Sequence, residues 1–254
     1  MIITEAQARK VLETVDAGLV RGLGAPVPGR MCVMAAISYA LGLSHGDDPE
    51  SYVDFVVRAG DIALNDAAWS SPEARARGMR REAVAKLGSA GTIDSVRYAQ
   101  LLCERTIREI VPIALRGMTW LSPGHVLEQA ALRCEGDGNK KSAEIAVAAV
   151  RAAANGANQL GAAYAVDAAH AATDGIGAVY AAAASDCEFP VVYAAAAAYA
   201  AADAARIVAS GAARGTFAVT SSNAVLTHMA DIMVRCLQDV GSPGCQWLHL
   251  AEAA

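Results

Sequence analysis

Between Arg151 and Arg206 the chain carries no lysine or arginine, and alanine dominates the stretch. Of the 59 alanines in 254 residues, 41 fall after residue 126. Alanine has the best intrinsic helix propensity, and no segment shows the alternating β-branched pattern of a strand. The fold class expected is therefore all-α, with about eleven helices and a tightly packed alanine-rich second half. An exposed amphipathic helix opposes a charged face to its apolar stripe. Helices this poor in charge are expected to bury more than one face, partly through self-association into a homo-oligomer. Tyr164, Tyr180, Tyr193 and Tyr199 are the few large groups there to fill gaps.

The first half reads differently. Up to residue 126 it holds 14 basic and 14 acidic side chains, so the formal net charge of −5 resides in the second half. Thr4-x-x-Gln7 is a capping box for a first helix with Val11, Leu12, Val15 and Leu19 at helical spacing. A second helix is expected over 31–41. Asp48-Pro49 supplies an N-cap and an N1 proline for a third, running to about Leu64. Ser71-Pro72-Glu73 opens a fourth that ends near Gly88. Asp94 or Ser95 opens a fifth, kinked at Pro112, and Ser122-Pro123 opens a short sixth. Glu135-Gly136-Asp137-Gly138-Asn139 is the clearest linker. It separates a charge-balanced region, 1–134, from an alanine-rich packing and assembly region, 140–254, within one continuous unit. Helices are expected there at about 140–155, 157–173, 176–185, 190–210 and 222–239, with a short one after Ser242-Pro243.

Several function classes are disfavoured by composition. An acidic balance argues against a nucleic-acid partner, whose footprint is a basic face. Six scattered cysteines with no C-x-x-C exclude a zinc ribbon or a thioredoxin-like motif, and suit free thiols in a reducing cytoplasm. The N-terminus lacks the basic and apolar regions of a signal peptide. The apolar run 191–213 contains Asp203 and Arg206, and alanine brings little apolar area to offset them, so no membrane span is expected.

The densest group of unusual residues is Pro28-Gly29-Arg30-Met31-Cys32, Tyr39 to Asp47, Val57-Arg58 and Leu64 to Ser71. Together with the neighbourhoods of Gly78 and Gln100, and with Gly241-Ser242-Pro243-Gly244, these residues resemble uncharacterised alanine-rich proteins encoded in bacterial and phage genomes. The resemblance covers most of the chain but brings no activity and no functional residue with it. Physically, the cluster suits a small anionic, nucleotide-like ligand. Ser70 and Ser71 precede a helix N-terminus, Arg30 and Arg58 offer bidentate phosphate contacts, Trp69 offers a stacking surface, and Asn65 offers a base-edge contact. The competing structural roles are a cap for Ser71, core packing for Trp69, and an ion pair of Arg58 with Asp54 or Asp61. For a phage protein, sequestering a host signal nucleotide would fit such a site.

His45-Gly46-Asp47-Asp48 places an imidazole beside two carboxylates, the ingredients of a hydrolase acting on a phosphate substrate through His45 and Asp47. His125-x-x-Glu128, Asp167-x-x-His170 and His228-x-x-Asp231 put acid and imidazole on one helix face, where local ion pairing is expected in preference to a metal. Glu73–Arg77 and Glu82–Lys86 read as i,i+4 pairs of a solvated fourth helix. The leading expectation is non-catalytic binding of a small anion, without cofactor or metal. A phosphate-substrate hydrolase and an interaction scaffold are the alternatives.

Overall fold

Thr4 caps the first helix as its spacing predicts: its Oγ1 accepts from Gln7 N (3.3 Å), while Gln7 Oε1 accepts from Thr4 N (3.0 Å). In the computed structural model, which describes residues 2–49, 51–118, 125–153, 159–182, 190–214 and 221–252, this is α1, Glu5–Asp16. It is followed by α2 (Val33–Ala40), α3 (Phe55–Asn65), α4 (Pro72–Ala85) and α5 (Ser95–Arg105). A π-helical turn at Thr106–Ile110 joins α5 directly to α6 (Val111–Arg116). Then come α7 (Val126–Asp137), α8 (Lys140–Ala153), α9 (Gln159–Ala182), α10 (Pro190–Ala213) and α11 (Ser222–Asp239). A 3₁₀ turn at Pro243–Trp247 leads into α12, Leu248–Glu252. With α5 to α6 taken as one rod, there are eleven helices among the described residues, which contain no sheet.

Local chemistry explains most boundaries. Ser71 Oγ accepts from Ala74 N (3.1 Å), with Pro72 at the first helical position. Asp94 caps α5 through Arg97 N (2.9 Å). Pro112 lacks the N–H that would continue the α ladder, and the widened π turn immediately precedes it. Gly138 ends α7 in the left-handed conformation (φ +60°), with the Arg108 side chain where a Cβ would stand.

Several expected boundaries move: α1 ends at Asp16, short of Leu19, and α7 runs to Asp137, so most of the expected Glu135–Asn139 linker is helical. The third helix starts at Phe55, capped by Asp54 Oδ1 accepting from Val56 N (2.8 Å), and not at Pro49. The reason is tertiary. Arg58 holds Asp47 and Asp48, the Pro49 carbonyl closes a turn on Tyr52 N, and Asp54 is tied to Ser89 and Ser95. The expected break between 173 and 176 does not occur, and α9 runs through Gly175 and Gly177. Gly175 is a point of close approach, its Cβ position lying 3.0 Å from Cys103 Sγ and 3.3 Å from the Ala197 carbonyl. The Ser122-Pro123 start falls outside the described residues.

The core runs through both halves of the sequence. Helix α10 packs on α3, α5, α9 and α11, so alanines of the second half meet apolar faces of the first. Ala194, Ala197, Ala198, Ala201, Ala204, Ala205 and Ala209 are buried. One stripe, Val192, Ala196 and Tyr199, stays exposed and continues into the half-exposed Asp203–Arg206 pair. Helix α10 is long and apolar enough to cross a membrane by composition, with mean hydropathy 1.4, and half of that window is buried inside the fold.

Candidate functional site

Most of the residues singled out before Pro72 take up structural partners. Arg58, on α3, donates from Nε to the Asp47 carbonyl (2.7 Å) and from Nη2 to Asp47 Oδ1 (3.0 Å), with Asp48 Oδ1 at 3.6 Å. Its carboxylates are therefore Asp47 and Asp48, where the sequence pointed to Asp54 or Asp61. Buried Asn65 spends both side-chain N–H groups, on the Val20 carbonyl (3.1 Å) and Asp66 Oδ1 (2.9 Å), and its oxygen accepts from Val33 N. Trp69 lies in the core, donating from Nε1 to the Leu64 carbonyl (3.0 Å), with its ring against Gly78. Ser70 exchanges hydrogen bonds with Asn223 on α11, and Ser71 caps α4. Arg30 and His45 are exposed on neighbouring loops. His45 Nε2 lies 3.3 Å from the Gly24 carbonyl. Asp47 meanwhile faces Arg58.

Sequence reasoning missed a buried polar cluster beside these residues. Lys86 Nζ lies 2.8 Å from Asp61 Oδ2 and 2.8 Å from Glu82 Oε2, and all three side chains are fully buried. The expectation of a solvated Glu82–Lys86 pair is corrected here: α4 is a central helix, packed by α1, α11 and α12. Arg75 on the same helix is also buried, donating to the carbonyls of Asn65 and Leu19. The available signal was position. Asp61 falls on the α3 stripe with Val57 and Leu64, and Glu82 is one turn after Met79.

Asp61 Oδ1 and Glu82 Oε1 have no donor among the described residues. Burial first, then the neighbouring Asp61 charge, pushes the Glu82 carboxyl well above its ordinary value. A proton on Glu82, hydrogen-bonded to Asp61, satisfies both oxygens at once. Burial acts to lower the Lys86 ammonium, but Asp61 and Glu82 outweigh it and hold its pKa raised. A proton held by Glu82 would leave Lys86 with a single charged partner, Asp61, in this buried cluster. The adjoining cavity, lined by residues including Cys32, Asp61 and Asn65, is only about 40 Å³, close to the volume of one water.

A larger, open groove lies between α8 and α9. Its volume is about 350 Å³, and Lys140, Glu144, Val147, Ala148 and Arg151 of α8 line it with His170 and Thr173 of α9. Arg151 Nη2 lies 2.9 Å from His170 Nε2. A guanidinium only donates, so Nε2 is the acceptor in this contact. Lys140 Nζ is 4.0 Å from Glu144, a loose contact on an exposed helix face. Val147 and Ala148 supply the apolar part of the lining.

The expected i,i+3 pairs instead turn to other helices. His170 meets Arg151, Glu128 is held by Arg116 (2.9 Å), His228 meets Glu109 (3.1 Å), and Asp231 meets Arg81 (2.6 Å). Among the described residues no three His, Cys, Asp or Glu side chains form a group able to hold a metal ion. Burial raises the Cys134 and Cys245 thiols to about 11 and Cys236 to about 12, so these three stay protonated at neutral pH. Comparison of the chain with protein-family models, with curated proteins and with solved structures finds no match in any of the three.

Proposed function

We propose that the protein binds a small anionic ligand without transforming it, and that the ligand sits in the groove between α8 and α9. The observation that carries this is the partner of Arg151. Its guanidinium faces an imidazole nitrogen across an open groove, whereas Arg58, Arg81, Arg105 and Arg116 each face a carboxylate. A fork of N–H donors with no carboxylate among its described contacts is a ready partner for a carboxylate or phosphate. Lys140 on the same helix adds positive charge, and Val147 and Ala148 give apolar surface for the rest of the ligand. The lining holds no Phe, Tyr or Trp among the described residues, so recognition rests on the anionic group and not on stacking of a base.

Binding is favoured over turnover because the groove imidazole accepts from a guanidinium, and among the described residues no carboxylate is hydrogen-bonded to it to orient it as a general base. Calorimetric titration with inorganic phosphate tests the proposal. Phosphate should bind the wild-type chain, and Arg151→Ala together with Lys140→Ala should abolish binding while the helical circular dichroism is unchanged. Equal phosphate binding by the double variant would remove the groove from consideration.

A further inference from the structure

We infer that His170 is a third ligand-contacting group, that it binds as imidazolium, and that the groove thereby selects tetrahedral dianions (phosphoryl or sulfuryl groups) over carboxylates. The inference rests on the anion-binding reading above and adds a residue, a protonation state and a ligand class to it. It starts from the 2.9 Å contact between Arg151 Nη2 and His170 Nε2, which joins two helices across the groove.

Arg151 spends one of its five N–H groups on His170, so an anion seated on the others brings its oxygens beside Nε2. The Nε2 lone pair would then face an anionic oxygen, a repulsive arrangement. Protonation at Nε2 reverses it, turning the imidazole into a donor while Nδ1 keeps its own proton. The occupied site then presents the Arg151 fork and the Nε2–H from opposite helices. A carboxylate offers two oxygens and is satisfied by the fork alone. A phosphate or sulfate keeps further oxygens for His170.

The surroundings permit the added charge. From α8, Arg151 meets His170 and opposes protonation, while Lys140 and Glu144 line the same groove nearer the start of the helix with opposite charges. On α9 itself, Asp167 lies three residues before it and Asp174 four after, both exposed. Helix α10 meets α9 through Ala197 and Ala200 near Gly175, and α5 meets it there through Cys103. Arg116 of α6 is engaged by Glu128 and Glu135, while Arg108 and Glu109 of the π turn are engaged by Glu104 and by His228 and Arg235. The anion itself is the largest new charge at the imidazole.

Sulfate is the probe of choice because it stays dianionic across the pH range of interest. Calorimetry at pH 6 to 8, in buffers of different ionisation enthalpy, counts protons taken up on binding. The expected result is uptake approaching one proton, with sulfate affinity falling by up to tenfold per pH unit as the pH rises. Acetate should bind more weakly at low pH and with little proton uptake. His170→Gln, which keeps a donor at this position without titrating, should bind sulfate with no proton uptake and no pH dependence. Sulfate binding without proton uptake, or an unchanged pH dependence in His170→Gln, would overturn the inference and leave anion binding standing. Absence of sulfate and phosphate binding to folded wild-type protein would overturn both.

Discussion

Lys86 Nζ and Asp61 Oδ2 lie 2.8 Å apart in a part of the core where neither side chain has any exposed surface. Breaking a buried ion pair by removing one partner is far more damaging than its net contribution suggests, because the other charge stays behind. Lys86→Met should therefore destabilise the fold by about 3–5 kcal/mol, read from the urea unfolding midpoint. The double variant Lys86→Met with Asp61→Asn should recover a substantial part of that loss. Simple additivity of the two single variants would contradict the coupling.

Glu82 gives this cluster a pH signature. Its folded-state pKa is raised above the ordinary 4.5 by burial and by Asp61, so above pH 4.5 the unfolded chain releases the proton first. The stabilisation from this group is fully present below 4.5 and is lost progressively as pH rises through the folded-state value. Glu82→Gln keeps the neutral hydrogen-bonding shape and removes the titration. Its unfolding free energy should stay within about 1 kcal/mol of wild type near pH 5, and the fall in stability toward neutral pH should flatten. An identical pH slope in the two proteins would show that Glu82 is ionised in the fold.

The sequence made the caps at Thr4, Ser71 and Asp94 legible because each is decided within four residues by side chain and backbone. Asp48-Pro49 satisfies the same local rule, yet the helix begins at Phe55 because Arg58 and Ser89 draw the chain into another path. Glu82 and Lys86 have the spacing of a solvated pair and of a buried one alike. Only Asp61, from another helix, shows which it is. The groove is hidden for a related reason. Arg151 and His170 are individually unremarkable, and their juxtaposition depends on how α8 and α9 pack. The charge-poor alanine helices predict burial of more than one face, and part of that burial is supplied within the chain. The fold covers α10 with α3 and α5 from the first half, a pairing no local pattern announces.

That packing makes a substitution pattern along α10. Ala201 is fully buried and Ala196 is exposed five residues earlier on the same helix. Enlarging a side chain in a close-packed interface costs about 1–3 kcal/mol through displaced neighbours. Ala201→Leu should lower the thermal midpoint by several degrees, and Ala196→Leu should leave it nearly unchanged. Equal effects at the two positions would mean that α10 is not seated on α3 and α9 as described.

Gly78 and Trp69 supply a further test, of the placement of an aromatic ring that the sequence alone also suits to ligand stacking. A Cβ on Gly78 would overlap the outer edge of the indole, and Thr227 of α11 closes the space on another side at 3.0 Å. The ring cannot retreat freely, because its Nε1 is held by the Leu64 carbonyl at 3.0 Å. Gly78→Ala should therefore destabilise the protein even though alanine is the better helix former by about 1 kcal/mol. The expected net loss is about 1–2 kcal/mol in urea denaturation, accompanied by a change in indole fluorescence that Trp69→Phe abolishes. A stabilising Gly78→Ala would place the Trp69 ring away from α4 and reopen it as a surface for a ligand.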